Sequence, residues 1–348
     1  MDDPINGKPD WRRTMLSKPS YHDVAKLAGV GTATVERVLN GRGGVRQELV
    51  AKVVLAARQL NYPRVLPEIH RAMLRIDVIM VRPETTFYSR LSKAFERIAA
   101  TLDPIVVVHR RFAEESNAQE IARYIALPDA PRAGLILAVP NSPLIDVAVK
   151  KVIDQGIPVV HIVTRASQDE AEFVGIDNYA AGRSAAHFIS RMTRAQGSVI
   201  ALCHPIYQVH QDRIRGFSEY FRDHPGPIAF KWLGFTRDEE LFSVETLHMG
   251  LSKFPDLIGL YNAGGANAAV IDVMSRQERG KEILFVGHEL TDYTRKALAD
   301  GIMDVVLDQA PEAQARRVLD LMLRRIGLTT VDPDQQPIRF ITITAENL

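Results

Sequence analysis

Residues 20–41 read SYHDVAKLAGVGTATVERVLNG, and the fold of the N-terminal part follows from this stretch. Ser20 stands three residues before Asp23, the spacing of a capping box, which predicts a helix starting there. Val24, Leu27 and Ala28 recur at i, i+3 and i+4 and give that helix one apolar stripe. Gly29-Val30-Gly31 breaks the pattern, and a second short helix, about Thr32 to Leu39, ends at Asn40-Gly41. Downstream, Gly43-Gly44 makes a loop. A third helix follows from about Arg46 to Leu60, with Leu49, Val53, Ala56, Ala57 and Leu60 on one side. Three short helices with a tight turn between the first two make a helix-turn-helix bundle.

Charge separates this bundle from the remainder of the 348 residues. The chain as a whole carries 43 Lys+Arg against 42 Asp+Glu, yet residues 1–75 hold 13 basic and 7 acidic side chains. A basic head on a slightly acidic body suggests that the head meets a polyanion. At ~100–200 residues per domain, the length implies two or three globular units. The single cysteine can form neither an internal disulfide nor a cysteine zinc site. No apolar run reaches the ~18 residues of a transmembrane helix, so no membrane partner is expected. The first twenty residues lack the apolar centre of a secretory signal, which predicts a cytoplasmic protein.

Residues 1–19, rich in Pro, Asp and Lys, read as a mobile tail, and residues 65–75 as a hinge. From Ile76 the texture changes to short β-branched runs at Ile76–Val81, Ile105–His109, Gly134–Val139, Pro158–Val163 and Phe173–Ile176. A second series follows at Ser198–Leu202, Ala229–Gly234, Leu257–Tyr261, Ile283–Gly287 and Asp304–Leu307, closed by Ile338–Ile343. Helical patterns such as Tyr88–Ala100, Asn117–Ala126, Leu144–Gln155, Asn178–Arg191, Asp238–Lys253 and Glu312–Arg325 lie between them. Such alternation predicts parallel sheets covered by helices, too many strands for one open sheet. The expected core, residues 76–348, is therefore two doubly wound α/β subdomains. The chain should cross between them near residues 178, 308 and 330, with ligand held in the cleft at the strand ends.

Asp23-Val24-Ala25-Lys26-Leu27-Ala28-Gly29-Val30 followed by Thr34-Val35-Glu36-Arg37-Val38-Leu39-Asn40-Gly41 resembles the headpiece of the lactose-repressor (LacI/GalR) family, whose usual pattern is DVAxxAGVSxxTVSRVLN. The resemblance continues to Leu60-Asn61-Tyr62 and implies that residues 20–64 bind DNA. The second helix would lie in the major groove with Thr32, Ala33, Thr34 and Arg37 at the DNA and Arg37 able to take a guanine. Ser20, Tyr21 and Asn40 resemble family residues that hold phosphates. Gly31 and Glu36 stand where the family usually has serine. Glu36 places a carboxylate beside the duplex unless it reads a cytosine amino group or pairs with Arg37. The hinge lacks the family's Ala-Arg-x-Leu pattern, which leaves Leu66 or Ile69 as the wedge that would enter the minor groove.

The core resembles the family's sugar-binding, periplasmic-binding-protein-like domain, and the likeness implies its effector contacts. Phe87-Tyr88 follows the first strand, where an aromatic ring can stack on a pyranose. Asp177 and Asn178 precede a crossover helix, and Arg213-Ile214-Arg215-Gly216-Phe217 matches R-x-x-G-[FW]. Asn262 ends a strand but has Ala263 where the family shows aspartate. Glu289 replaces the aspartate of Gly-x-Asp, Gln309 falls on the usual glutamine, and Asn141 follows Pro140. Asp177 could equally be a helix N-cap, Arg213 a surface ion pair, and Phe87 a packing residue. Family likeness further implies a homodimer, or a higher assembly, on a palindromic duplex operator.

Other chemistry finds little support. Gly41-Arg42-Gly43-Gly44 has neither the preceding strand nor the Lys-Ser/Thr of a phosphate loop. There is no zinc-protease helix motif or nucleophile elbow, and neither cofactor nor metal is expected. His109, His161, His187, His204 and His210 are scattered and read as structural, Cys203 as a small buried apolar side chain. The expected function is a transcriptional regulator, a repressor whose operator affinity follows a sugar, polyol or related acid. A solute-binding protein with a vestigial headpiece stays open. So does an effector-independent regulator, suggested by Ala263 and Glu289. An enzyme on this core would lack a nucleophile–base pair.

Overall fold

The computed structural model describes residues 19–62, 73–165, 171–193 and 195–348. They form two units, one of N-terminal helices and one of alternating strands and helices. The hinge residues Leu66 and Ile69 lie outside the described residues, as does most of the N-terminal tail.

The helical unit contains α1 (Tyr21–Ala28), α2 (Thr32–Leu39) and α3 (Gln47–Gln59). Ser20 and Asp23 form the expected capping box, and Gly29 closes α1 in the left-handed conformation at φ 65°. Val24, Ala25 and Ala28 of α1 meet Val35, Val38 and Leu39 of α2 and Val53, Val54, Ala56 and Ala57 of α3. Leu27 is not part of this core: it is 41% exposed, because the face presented to α2 and α3 is centred on Val24, Ala25 and Ala28. In α3, Leu49 is half-buried and stays outside the cluster, while Val50 and Val54 join it.

The second unit opens with β1 (Leu74–Val81), α4 (Thr86–Ala99), β2 (Val106–Ala113), α5 (Ala118–Ala126), β3 (Gly134–Ala138), α6 (Pro143–Asp154), β4 (Val159–Ile162) and β5 (Glu172–Val174). It continues with α7 (Asn178–Met192), β6 (Gly197–Cys203), α8 (Gln208–Asp223), β7 (Ile228–Phe235), α9 (Glu240–Lys253), β8 (Leu257–Asn262) and α10 (Asn267–Ser275). Last come β9 (Leu284–His288), α11 (Asp292–Ala299), β10 (Val305–Asp308), α12 (Pro311–Arg325) and β11 (Ile341–Ile343). Among the described residues the strands make two sheets, ordered β2-β1-β3-β4-β5 and β11-β10-β9-β8-β6-β7. Parallel pairing joins β1 to β3, β3 to β4 and β4 to β5, and in the second sheet β6 to β7, β6 to β8, β8 to β9 and β9 to β10. β11 pairs antiparallel with β10, and Ile338, expected in that strand, makes an isolated bridge to Ile176 instead.

The order β2-β1-β3-β4-β5 recurs as β7-β6-β8-β9-β10, so each lobe is doubly wound with its switch point beside its first strand. The strands read as continuous apolar runs because both faces are covered: β1, β3 and β8 are buried along almost their whole length. The chain leaves lobe one between β5 and α7, returns between β10 and α12, where α12 packs on α4, and leaves again before β11. A large second-lobe core gathers Leu202, Leu247, Leu260, Val270, Phe285 and Val306. No helix among the described residues is long and apolar enough to cross a membrane.

Candidate functional site

Thr32, Ala33, Arg37 and Asn40 are exposed on one side of α2, while Val35, Val38 and Leu39 are buried on the other. The 3.6-residue period places Glu36 on the exposed side too, and Thr34 at its half-buried edge. Glu36 pairs with Arg42 at 3.2 Å rather than with Arg37. The Arg37 side chain makes no ion pair or hydrogen bond among the described residues, and its guanidinium lies over Gly44, where a Cβ would stand 3.4 Å from Nη2. The bare Gly43-Gly44 loop thus leaves the arginine room.

Ser20 does not stand as expected for a phosphate contact. Its hydroxyl donates to Asp23 Oδ2 at 2.7 Å and its backbone N–H to the same oxygen at 2.8 Å, so the donors a phosphate needs are engaged in capping. That bond holds the Asp23 carboxyl below its usual range. Tyr21 stacks on Tyr62, with ring centroids 5.9 Å apart.

Between the two lobes of the second unit lies a cavity of about 500 Å³ lined from both sides. Lobe one contributes Arg82, Phe87, Tyr88, Val163 and Thr164, and lobe two Tyr207, His210, Arg213, Asp238, Asn267, His288, Glu289 and Gln309. Seven non-glycine residues in the turns around it have left-handed backbone: Arg82, Val163, Arg237, Asp238, Ala266, Glu289 and Ala310, with φ from 50° to 70°. Such conformations cost ~1–3 kcal/mol each and persist where surrounding structure over-determines them, commonly at ligand sites.

Arg213, on α8, is 2% exposed. Its Nε donates to Asn178 Oδ1 at 2.8 Å and its Nη1 to the Ala263 carbonyl at 2.7 Å. The expected alternative of a surface ion pair is therefore excluded. The R-x-x-G-F spacing has a packing reason as well. A Cβ on Gly216 would lie 2.1 Å from the Tyr179 carbonyl oxygen, and one on Gly182 would lie 1.9 Å from that of Arg213. Glycine at both positions lets α7 and α8 cross backbone to backbone, which sets the height of Arg213 over the cleft.

Glu289 Oε1 accepts a hydrogen bond from Gln309 Nε2, as their shared place at strand ends anticipates. Its Oε2 accepts none among the described residues and lies 3.9 Å from Arg90 Nη1. Burial, reinforced by neighbouring Asp308, pushes the Glu289 carboxyl up to about 8. Asp308 is held by Arg90 at 2.6 Å. Burial likewise lowers the imidazole of His210 to about 4, against the opposing pull of Asp238, so it is neutral at physiological pH. Tyr207 OH, Arg213 Nη2, His288 Nδ1 and Glu289 Oε2 are buried at this cavity without a hydrogen-bond partner among the described residues. Buried polar atoms are ordinarily satisfied, so such a concentration points to a ligand that completes them.

Phe87 and Tyr88 line the cavity with rings edge-to-face at 5.4 Å. Three expected contacts do not line it. Asn141 is exposed after β3. Asp177 is exposed and caps α7, accepting from the Ala180 N–H at 2.8 Å; the buried Asn178 beside it turns inward to Arg213. Asn262 is fully buried inside its own loop, donating to the Gly265 carbonyl at 2.8 Å and to Asn267 Oδ1 at 2.9 Å. That loop is tied down from outside as well: Asp238 Oδ1 accepts from the Gly265 N–H at 2.9 Å. The carboxylate absent from position 263 is thus supplied in space by Asp238, which also receives Arg82 Nη2 on its carbonyl at 3.1 Å across the cleft. Neither residue was anticipated, nor was His210 as part of the wall. Arg82 and Asp238 carry no motif; only Asp238, at the foot of a strand-to-helix turn, could have drawn notice.

Comparison with known proteins agrees with this geometry. The family described as bacterial regulatory proteins, lacI family, matches residues 20–64, and that of the periplasmic binding protein domain matches residues 76–327. The HTH-type transcriptional regulator GntR of Pseudomonas aeruginosa is 28% identical over 192 residues, covering 54% of this chain and 54% of its own length. The ribose operon repressor of Halalkalibacterium halodurans is 31% identical over 163 residues, 44% of this chain and 47% of its own. The matched part of the chain spans about half the length of these curated relatives. A sugar-binding protein of a Bacillus halodurans ABC transporter shares the fold at TM-score 0.68 and 24% identity, over 78% of this chain and 98% of that one. With a lacI headpiece ahead of a periplasmic binding protein domain, the chain belongs to the lacI family of bacterial regulatory proteins.

Proposed function

We propose that the protein is a cytoplasmic, sequence-specific DNA-binding regulator, acting as a repressor, whose operator affinity is set by a small polyhydroxylated effector in the cleft. The observation that carries this reading is the pairing, in one chain, of an α2 face with an unengaged Arg37 and a cavity whose walls hold several unpartnered polar atoms. Residues 20–64 serve as headpiece, 65–75 as hinge and 76–348 as effector core. Thr32, Ala33 and Arg37 meet base edges, with Thr34 at the margin, while Tyr21 and Asn40 hold phosphates. The Glu36–Arg42 pair tempers the one carboxylate on that face.

Phe87, Tyr88, Arg213, Glu289 and Gln309 take the effector, joined by Tyr207, Asn267 and Asp238. The role is binding, not catalysis. One headpiece covers too little duplex for tight recognition, so a homodimer on a palindromic operator is the working form. Effector-dependent closure of the two lobes alters the spacing of the paired headpieces. Selection from a random duplex library with the full-length protein tests the first half. A two-fold symmetric consensus, bound less tightly and less selectively by Arg37→Ala, is the expected result. Retention of no sequence above background would refute the reading.

A further inference from the structure

The arginines near the cleft differ in one respect. Arg82 has carboxylates of Glu84, Glu115 and Asp238 at 3.7, 3.8 and 3.6 Å. Arg90 is held by Asp308 at 2.6 Å and Glu312 at 2.9 Å. Arg213 is the most deeply buried of the three, yet both its hydrogen bonds go to neutral acceptors, and no carboxylate among the described residues comes within ion-pair distance. A buried charge is costly unless a counter-charge meets it.

The acidic groups that bear on Arg213 do not remove this imbalance. Asp238 is engaged by Arg82 and by the Gly265 N–H. Glu289 is pushed up to about 8 by its burial, so near neutral pH it is mostly protonated and able to donate from Oε2. The guanidinium keeps Nη2 unpartnered at the cavity wall.

We propose that the cleft selects a polyhydroxylated monocarboxylate, an aldonic or uronic acid, whose carboxylate lies on Arg213 Nη2. This rests on the cleft being the effector site. A neutral sugar satisfies the Nη2 donor but leaves the buried charge unmet, whereas a carboxylate does both through a charge-assisted bond. A phosphate monoester carries nearly two charges. Its surplus charge would face the Asp238 carboxylate, and Arg82 and Arg90, the other arginines near the cleft, already face carboxylates. The remaining hydroxyls find Tyr207 OH and Glu289, with the Phe87 ring as apolar wall.

Calorimetric titration of the full-length protein tests this, with D-gluconate and D-galacturonate against D-glucitol and D-galactose, and D-glucose 6-phosphate as a further arm. At least one acid should bind about tenfold or more tightly than its neutral counterpart. In Arg213→Met, with folding checked by thermal unfolding, that ratio should fall to near one. Equal binding of acid and neutral partner, tighter binding of the phosphate, or no binding in any arm would overturn the proposal. Anisotropy on the selected operator separates this failure from failure of the regulator reading. A neutral sugar that binds as tightly as its acid and shifts operator affinity sinks the proposal alone, while an acid that binds without shifting it sinks the regulatory reading alone.

Discussion

Gly216→Ala perturbs the crossing that places Arg213. On a helix, alanine is ordinarily favoured over glycine by ~1 kcal/mol, so propensity alone stabilises the variant. Geometry opposes it: the new Cβ would stand 2.1 Å from the Tyr179 carbonyl oxygen and 3.2 Å from the Arg183 nitrogen, both backbone atoms that cannot swing aside. Reaching an ordinary contact distance requires α7 and α8 to part by about 1 Å in a close-packed interior. Overpacking of this kind costs ~1–3 kcal/mol, or more where backbone must move. At ~2–4 °C per kcal/mol for a core of this size, the net effect is a Tm lowered by several degrees. Because the same crossing carries Asn178 and Arg213, ligand affinity should fall alongside stability. Thermal unfolding with and without ligand reads both. Gly226→Ala, where nothing lies within 4 Å of the new Cβ, is the control and should leave Tm unchanged. A Gly216→Ala protein as stable as the parent would show that the helices do not approach this closely, and the placement of Arg213 would lose its basis.

Further perturbations separate the remaining roles. Arg37→Ala should weaken operator binding by ~1–3 kcal/mol and loosen base preference at one position, read by anisotropy across single-base operator variants. Asp177→Ala removes the α7 cap and should cost ~0.5–2 kcal/mol in thermal unfolding while leaving ligand affinity intact; a large loss of affinity would restore Asp177 to the binding site. Glu289→Gln tests the raised carboxyl. Its ordinary value is 4.5 and its folded value about 8, so ionising it opposes folding, and the parent loses stability as pH climbs between those values. The glutamine variant lacks that loss, so its Tm relative to the parent should rise from pH 5 to 8 and level off above. A difference that stays flat with pH would contradict the burial of that carboxyl. Asp308, Gln309, Arg213 and Arg90 surround it and remain in both proteins.

The helical unit and the order of the strands were legible because local signals coincide with global packing. The Ser20–Asp23 capping box, the α2 boundaries and every expected strand reappear, with ends shifted by a few residues at most. Leu27 was misplaced because three positions cannot distinguish a face centred on Val24 and Ala25 from one centred on Val24 and Leu27; the partner helices decide. In the cleft, Phe87, Tyr88, Arg213, Glu289 and Gln309 were read from motifs and line the cavity. Asn141, Asp177 and Asn262 sit equally near strand ends but turn elsewhere, since short polar side chains there are also drawn to caps and loop amides. The Arg82–Asp238 contact joins residues 156 positions apart, both in left-handed backbone that leaves no mark on a non-glycine sequence. No local pattern could have paired them.

Coupling between cavity and headpiece is tested most directly by one equilibrium. Anisotropy of labelled operator with full-length protein should be measured with and without a compound that raises the protein's Tm. Operator Kd should change by ~5–150-fold, the usual span of coupling between two sites. An operator Kd that stays the same while the compound demonstrably occupies the cleft would contradict control of DNA binding from that site.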